Sequence, residues 1–368
     1  MRRIPLSVVA STMVLSLAGC ALLGKSEEGP KTRPTQVNEM TIGLLLPEKS
    51  STRHDQFDYP IIKKTVASLT KDQGRTDYQN ADQDPDVQAA QMQKMITEKV
   101  DVILLDAVDS HTIAPMVRKA KAADIPVIAY DRLAEGPVDL YVSFDNELAG
   151  EVQGRSLIDA MGRDTGTAAN VVMVNGSLTD PSGQQVKKGA LSEISNQAKI
   201  VKSYDTAGWN PDIAQTEMAE AINAIGKDNI DGVYSANDAM VAGIIRSFEA
   251  AGVTKLPPIT GQDAELSAVQ RIITGEQLMT VYKPYPDEAK VAATAAVLKV
   301  QGENIQFDAL ATDKVDSPTD KAIPTHLVRV DPLTRANIMD TVVADKIYTL
   351  EEICTAEYKS ACAKIGLT

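Results

Sequence analysis

The sequence has few cysteines and histidines, since its 368 residues contain only three of each. These counts are too low, and the residues too scattered, for a zinc ribbon, a disulfide-rich secreted scaffold or an iron–sulfur protein, so we expect no metal site. Positive charge is also scarce: 37 Lys and Arg residues against 50 Asp and Glu residues give a net charge of −13. A field of this sign repels the phosphates of nucleic acids, which argues against a nucleic-acid partner.

Signals for a nucleophile or a cofactor are missing as well. No His or Cys spacing pairs a nucleophile with a base, so we do not expect an enzyme. Residues 19–26 match the phosphate-loop pattern GxxxxGKS, but they lack the buried strand and the helix that must flank such a loop, so no cofactor is expected. Apolar residues are plentiful at 43%, and the length favours two domains of about 150 residues each.

Residues 1–19 have the features of an export signal peptide. An apolar run from Ile4 to Leu17 follows Met-Arg-Arg and ends in small residues before Cys20. The run is too short to span a bilayer core of about 30 Å with any margin, so we expect it to be cleaved. The Leu-Ala-Gly-Cys sequence resembles the lipobox of bacterial lipoproteins, which implies that Cys20 is lipidated and anchors the protein at the extracytoplasmic side of the bacterial cell membrane. A free Cys20 in an ordinary signal peptide is the alternative.

The segments at the two ends of the folded chain are also predicted to be distinct. Residues 20–39 are polar over most of their length and lack apolar periodicity, so we expect a lipid-anchored linker. Residues 346–368 form a C-terminal tail that contains Cys354 and Cys362. In an exported protein these thiols can pair in a disulfide, whereas two buried free thiols are the alternative.

Strand and helix patterns alternate through the first part of the chain. Short apolar runs predict strands at residues 40–46, 102–105 and 126–129. Helical periodicity predicts helices at residues 61–69, 84–98 and 113–123, the second of which begins at a capping Asp84 followed by Pro85. This alternation of strands and helices over about ninety residues predicts a doubly wound parallel sheet.

The same alternation restarts after residues 141–143, which predicts a second lobe of similar architecture. Helices are predicted at residues 149–161, 187–195, 211–225 and 238–251, and strands at residues 171–174, 200–204 and 232–235. Ligands of such sheets bind at the carboxyl ends of the strands, so the residues that follow each strand are the candidates for a site.

Those strand ends carry mostly charged, amide or aromatic side chains. Asp, Asn, Arg and Lys offer the mixed donors and acceptors that sugar hydroxyls require, and an aromatic ring packs against the C–H face of a pyranose. Trp209, the only tryptophan, lies in a predicted loop, although a core position is the alternative. Asn237 could simply cap the following helix, and the adjacent Asp131 and Arg132 could form a surface ion pair. One shared sugar-binding cleft explains all of these positions together.

Six collinear segments carry specific motifs: residues 47–53, 129–133, 143–147, 235–239, 261–265 and 280–284. From about Thr41 to Ile338 the chain resembles type I periplasmic binding proteins, most closely the xylose- and glucose-type sugar-binding proteins of ABC importers. The resemblance implies two Rossmann-like lobes with parallel sheets, joined by three crossings. The implied N-terminal lobe comprises residues 40–147 and 284–322, and the implied C-terminal lobe comprises residues 148–283 and 323–345.

The resemblance also implies a set of ligand-binding residues and partners. The hydrogen-bonding residues would be Arg53, Asp131, Arg132, Asn237, Asp263 and Lys283, with Trp209 stacking on the sugar. A monomer would capture one monosaccharide and deliver it to a membrane permease.

Three positions depart from the family pattern. His54 stands where relatives have a larger aromatic residue, Ser182 replaces an amide, and Lys187 replaces an arginine, so the sugar preference is expected to differ. A sensor lipoprotein that presents the sugar to a receptor is an alternative function, and a carbohydrate-active enzyme is a weaker one. A sugar-responsive transcription factor is excluded, because the chain begins with an export signal instead of a basic DNA-binding motif.

Overall fold

The computed structural model describes residues 38–49, 53–162 and 169–367. The predicted signal peptide, the predicted lipidation site Cys20 and almost all of the predicted linker lie outside these ranges and remain predictions. Among the helices of the described ranges, none has the length and apolar character needed to cross a membrane.

Strands and helices alternate over the described residues. The strands are β1 (Thr41–Leu46), β2 (Arg75–Asn80), β3 (Val102–Leu105), β4 (Val127–Tyr130), β5 (Leu140–Phe144), β6 (Asn170–Asn175), β7 (Lys199–Asp205), β8 (Gly232–Ser235), β9 (Thr280–Tyr282), β10 (Asp313–Val315), β11 (Ile323–Val328) and β12 (Asp331–Leu333). The α-helices are α1 (Tyr59–Leu69), α2 (Pro85–Glu98), α3 (Ala114–Ala122), α4 (Asn146–Met161), α5 (Pro181–Ile194), α6 (Pro211–Ile225), α7 (Asp238–Ala250), α8 (Leu266–Thr274), α9 (Tyr285–Gln301), α10 (Asn304–Leu310), α11 (Leu350–Ile353) and α12 (Lys359–Lys364). Short π-helical turns cover His54–Asp58 and Met339–Val343, and 3₁₀ turns cover Ala207–Trp209 and Lys227–Asn229.

The larger sheet has seven strands in the order β10-β11-β5-β4-β3-β1-β2. All neighbouring strands are parallel except β10 and β11. Side chains alternate along β1 and fill two separate cores. Ile42 and Leu44 pack with α1 and α9, whereas Leu45 packs with α2 and α3. Helices therefore cover both faces, which explains the continuously apolar central strands.

The second sheet contains the parallel strands β7-β6-β8. Single bridges from Val233 to Ile259 and from Gln262 to Val281 extend it toward the antiparallel pair β9–β12. Helices α4 and α5 pack in close contact, because a Cβ atom on Gly150 would overlap the carbonyl oxygen of Val186. This sheet has its own hydrophobic core. The prediction of an α/β fold with parallel sheets is confirmed.

The chain leaves the larger sheet after β5, returns to it at β10 and leaves it again after β11. The last passage differs from the prediction, because residues 323–328 form β11, which pairs with β5 in the larger sheet instead of belonging to the second lobe. Its mixed burial pattern gives no signal of which sheet it joins.

Strand β2 was not predicted, because this edge strand has the polar sequence RTDYQN. In the C-terminal tail, Cys354 and Cys362 are joined by a disulfide.

Candidate functional site

A cavity lies where the carboxyl ends of the strands of the two sheets face each other. Its lining is mainly charged, amide and hydroxyl side chains: Glu48, Arg53, His54, Asp131, Arg132, Asn146, Asp180, Ser182, Val186, Trp209, Asn237, Gln262, Asp263 and Lys283. Nine of the ten predicted binding residues are therefore brought together in one cavity.

Lys187 is the predicted binding residue that lies outside this lining. Its Nζ atom donates a hydrogen bond to Asp205 Oδ1 at 2.7 Å, which links α5 to the end of β7. The ammonium group of Lys187 is thus engaged by the carboxylate of Asp205, and a contact between Lys187 and the ligand remains a prediction.

Arg53 makes three buried ion pairs at the wall of the cavity. It directly precedes the π-helical turn that starts the first helix, and this turn ends at Asp58, five residues further on. Nε donates to Asp58 Oδ2 at 2.9 Å, Nη1 to Asp131 Oδ2 at 2.6 Å, and Nη2 to Glu288 Oε2 at 2.8 Å. The guanidinium group is thereby fixed in one orientation.

His54 is buried beside two carboxylates. Its Nε2 atom lies 3.5 Å from Asp106 Oδ2 and 3.9 Å from Asp58 Oδ2, while Nδ1 lies 3.0 Å from the carbonyl oxygen of Glu48. Burial by itself lowers the pKa of His54, but Asp106 and Asp58 outweigh it, so the pKa is raised. Burial raises the pKa of Asp106 to about 6. The imidazole therefore keeps its proton to a higher pH than an ordinary histidine.

Asp131 follows β4 with a left-handed backbone conformation, φ 57°. Its carbonyl oxygen accepts hydrogen bonds from the hydroxyl groups of Tyr141 and Ser143, both at 2.8 Å. Burial alone raises the pKa of the Asp131 side chain, but the positive charges of Arg53 and Lys283 outweigh it and lower the pKa to about 2. The residue therefore presents an ionised carboxylate to the cavity.

Polar side chains also connect the two walls of the cavity. Arg132 Nη2 donates to Glu48 Oε1 at 3.0 Å within the first lobe. Arg132 Nε lies 3.2 Å from Asp180 Oδ2, which belongs to the second lobe. Ser182 Oγ, also from the second lobe, donates to the carbonyl oxygen of Asp131 at 3.3 Å. The two lobes thus touch each other beside the cavity.

Trp209 is both part of the second core and part of the cavity lining. Its indole ring packs on two glycines: a Cβ atom on Gly176 would overlap the ring, and one on Gly183 would lie 3.1 Å from Cζ2. Its Nε1 atom donates to Asp180 Oδ2 at 3.2 Å. The ring is therefore held in a fixed position, with nine-tenths of the residue buried.

The second wall also presents an amide and a carboxylate–ammonium pair. Asn237 caps α7 by accepting a hydrogen bond from the N–H of Met240 at 3.0 Å, and it lines the cavity as well. Lys283 Nζ lies 3.3 Å from Asp263 Oδ1 and 5.2 Å from the centre of the Phe144 ring. Both members of the pair line the cavity, which gives this wall groups of both charges.

Five lining residues were not among the predicted binding residues: Glu48, Asn146, Asp180, Val186 and Gln262. Glu48, Asp180 and Gln262 stand at polar strand ends, so the criterion that selected the others could have selected them. Asn146 begins a helix soon after β5 and satisfies the same criterion. Val186 lies inside α5 and has no such signal.

The fold and the site together define a class of protein. Two α/β lobes present polar groups of both charges to one cavity. Within the part of the chain that the structure describes, no group of three or more His, Cys, Asp or Glu side chains is arranged to hold a metal ion. These features define a two-lobed protein that binds a small polar molecule.

Comparison with known families identifies the group to which this chain belongs. Residues 42–304 match the family model described as a periplasmic binding protein domain. The chain therefore belongs to the periplasmic binding protein family. This result confirms the family predicted from the sequence motifs and the prediction that the chain is not an enzyme.

Individual relatives agree over most of the chain. The D-xylose-binding periplasmic protein of Haemophilus influenzae is 32% identical, covering 75% of this chain and 81% of its own length. The D-xylose-binding periplasmic protein of Escherichia coli is 30% identical, covering 86% and 93%. An ABC transporter solute-binding protein from Clostridium phytofermentans, solved with bound β-D-glucose, has a TM-score of 0.75 at 23% identity and covers 85% of this chain and 99% of that one. This last likeness shows the fold.

Proposed function

We propose that the chain binds one neutral monosaccharide of the xylose or glucose type between its lobes and delivers it to the permease of an ABC transporter. The observation that carries this proposal is the cavity lining, in which carboxylate, guanidinium, ammonium and amide groups from both lobes accompany one indole ring. Sugar hydroxyls donate and accept hydrogen bonds at once, and an indole face packs well against pyranose C–H groups. The names of the relatives, which refer to D-xylose, support the same class of ligand.

Each wall contributes a different kind of contact in this proposal. Arg53, Asp131 and Arg132 bind hydroxyl groups from the first lobe, with His54 beside them. Asn237, Asp263, Lys283 and Ser182 bind hydroxyl groups from the other side, and Trp209 stacks on the ring. Charged partners of hydroxyl groups give the stronger hydrogen bonds, so we expect the ion-paired residues to contribute most of the affinity.

The proposed mechanism is closure of the two lobes around the sugar. The connections between the lobes would act as the hinge, because they are the segments that join two separately packed cores. A ligand that contacts both walls has a higher affinity for the closed form and shifts the population toward it. The contacts of Arg132 with Asp180 and of Ser182 with Asp131 would form during this closure.

We also propose that a mature monomer is held at the membrane through lipidated Cys20. The proposal follows from the sequence at the predicted cleavage point. In cell fractionation, the wild-type protein is expected in the membrane fraction and the Cys20→Ser variant in the soluble fraction. Equal distribution of the two proteins would contradict the anchor.

A thermal-shift measurement tests the sugar-binding function. Wild-type protein is titrated with D-xylose and D-glucose, and D-glucuronate serves as an anionic comparison. A ligand at a hundred times its Kd stabilises the protein by about 2.7 kcal/mol, so a clear rise in Tm is expected with at least one neutral sugar. No rise with either neutral sugar, or a rise with D-glucuronate alone, would contradict the proposal.

Two variants assign the effect to the cavity. Asp263→Ala and Arg132→Ala are expected to fold but to lose the sugar-induced rise in Tm, because each removes a charged partner worth about tenfold or more in affinity. The control is Asp331→Ala, which removes a half-exposed carboxylate on β12. The control variant is expected to respond to sugar as the wild type does.

A further inference from the structure

A group of buried carboxylates surrounds Arg53 on the side that the sugar-binding proposal does not use. Asp58 and Glu288 are completely buried, and neither lines the cavity. Glu288 lies in the first turn of α9, 235 residues from Arg53 in the sequence, yet its Oε2 atom accepts a hydrogen bond from Arg53 Nη2 at 2.8 Å. The ring centre of Tyr285, from the same helical turn, lies 4.7 Å from the guanidinium carbon. Helix α9 therefore supports Arg53 from behind.

The charges in this cluster do not balance if every group is ionised. One guanidinium contacts three carboxyl groups, of Asp58, Asp131 and Glu288. Two other cationic groups lie nearby, and both have carboxylates of their own. Lys283 is 3.3 Å from Asp263, and His54, which lies 3.9 Å from Asp58, is also 3.5 Å from Asp106. Even with a protonated His54, three positive charges would face five negative ones at buried or nearly buried positions. Isolated buried charges are costly, and a carboxyl group in such a place lowers the cost by taking up a proton.

Glu288 has fewer cationic neighbours than Asp58, the other completely buried carboxyl group of the cluster. Among the described residues, no hydrogen-bond donor reaches Glu288 Oε1 or Asp58 Oδ1, so a proton on either oxygen would displace no existing bond. Asp58, however, faces His54 Nε2 at 3.9 Å as well as Arg53, whereas within the described ranges Glu288 is paired with Arg53 alone. Burial, and then the negative charge of Asp131, raise the pKa of Glu288 well above its usual range, although Arg53 and Lys283 act in the opposite direction. Asp131, in contrast, is kept ionised by its cationic neighbours.

Other groups around Glu288 bear on the same question. Asp58 from the π-helical turn adds negative charge and favours the proton. The Tyr130 hydroxyl from β4 is buried near the cluster, and its own pKa is raised well above its usual range by burial and by the charge of Asp58. The first turn of α9 has the opposite influence, since the amino end of a helix favours an anion by a modest amount. Complete burial beside two other carboxylates is the larger effect.

We propose that Glu288 is a positioning residue that holds Arg53 in the sugar site as a neutral carboxylic acid. Its uncharged oxygen accepts the Nη2 hydrogen bond and fixes the guanidinium without adding a third negative charge. Asp131 can then direct its carboxylate toward both Arg53 and the bound sugar. The assignment of a role in binding rests on the proposed function, whereas the neutral state of Glu288 can be tested without any ligand.

Stability against pH tests the neutral state. If Glu288 keeps its proton when folded, the unfolded chain releases it above about pH 4.3, so the wild type loses stability with rising pH and Glu288→Gln does not. The Tm of Glu288→Gln minus that of the wild type is therefore expected to increase steadily from pH 5 to pH 8. A difference that stays constant or decreases would mean that Glu288 is ionised and would overturn the proposal.

Asp58→Asn and Asp287→Asn serve as comparisons in the same experiment. Asp287 is the exposed neighbour of Glu288 in α9, so its variant is expected to show no rising difference. If the Tm difference from the wild type increases with pH for Asp58→Asn and not for Glu288→Gln, the proton lies on Asp58, and the proposal for Glu288 is overturned. If Glu288→Gln does not fold, the ¹³C chemical shift of the Glu288 carboxyl carbon in the wild-type protein reports whether this group is protonated. A Glu265→Gln variant identifies the signal of Glu265, so that the two glutamates are not confused. A protonated value at pH 7 supports the proposal and an ionised value refutes it.

Calorimetric titration with D-xylose and D-glucose at pH 7 tests the positioning role. Glu288→Gln keeps a neutral acceptor and is expected to bind within about threefold of the wild type. Glu288→Ala leaves Nη2 without its acceptor and is expected to bind about tenfold more weakly or worse. Wild-type affinity in folded Glu288→Ala would refute the positioning role. If the wild type binds neither sugar, the proposed function fails, while the pH experiment still decides the state of Glu288.

Discussion

The two walls of the cavity are held in position by different interactions. On the first wall, Arg53 and Arg132 are fixed by buried carboxylates at 2.6 to 3.2 Å. On the second wall, Trp209 is fixed by packing on two glycines, and Asn237 is fixed by its helix cap. Ion pairs depend on charge and pH, whereas packing and caps depend on volume and backbone geometry. Changes of charge should therefore act mainly on the positions of Arg53 and Arg132, and changes of volume mainly on the position of Trp209.

The largest effect is expected from removal of the charge at Arg53. Arg53→Leu would leave three carboxyl groups without their cation, and breaking a buried ion pair in this way costs about 3 to 5 kcal/mol of unfolding free energy. Sugar-induced stabilisation should disappear as well. Urea unfolding measures the loss. The control is Arg75→Leu at an exposed position of β2, which is expected to change stability by less than about 0.5 kcal/mol. A loss below about 1 kcal/mol for Arg53→Leu would show that the cluster does not depend on its cation.

A change of volume should act next most strongly, on the second wall. In Gly176→Ala the added methyl group overlaps the indole ring of Trp209, whereas in Gly183→Ala it meets the ring at 3.1 Å. Overpacking costs about 1 to 3 kcal/mol, so Gly176→Ala should be the more destabilising of the two and should weaken sugar binding more. Urea unfolding and calorimetric titration of both variants provide the comparison. Equal effects would indicate that the ring moves freely.

Asn237 allows its two roles to be separated. Asn237→Asp keeps an oxygen that can cap α7, so its unfolding free energy should stay within about 0.5 kcal/mol of the wild type, while Asn237→Ala should lose about 1 kcal/mol. Asn237→Asp lacks the amide donor and should bind sugar about tenfold more weakly. Thermal unfolding and calorimetry measure the two effects. If Asn237→Asp binds sugar with the affinity of the wild type, capping α7 is the only role of Asn237.

The smallest expected effect is the pH dependence due to His54. Because its pKa is raised in the folded state, its contribution to stability is complete below about pH 6.5 and is lost as pH rises through the folded pKa. The Tm of the wild type minus that of His54→Gln should therefore decrease between pH 6.5 and pH 9. Asp106 has a pKa of about 6 and changes little over that range. A difference that grows with pH would contradict the raised pKa.

Most of the fold could be predicted from the sequence because its central strands are continuous apolar runs. Two strands toward the edges of the larger sheet differ from the prediction. Strand β2 was not predicted because its sequence is polar, and β11, which was placed in the other lobe, has a mixed burial pattern. Local patterns do not show which sheet such a strand joins, because that choice depends on tertiary packing.

The site could be predicted to the extent that binding residues follow strand ends. Arg132, Asn237 and Asp263 satisfy this rule and line the cavity. Lys187 was selected by resemblance, yet an ion pair with Asp205 takes its side chain elsewhere. The contact of Glu288 with Arg53 could not be predicted from the sequence, because a glutamate in the first turn of a helix is common. Only the packing of α9 brings this residue to Arg53.

A crystal structure of the protein grown with D-xylose or D-glucose would show directly whether a sugar bridges the two walls. We expect one sugar in the cavity, with its ring face on Trp209 and hydrogen bonds to residues of both walls, including Asp131 and Asp263. A sugar that contacts only one wall, or that binds outside the cavity while the cavity stays unoccupied, would contradict closure of the lobes around the ligand.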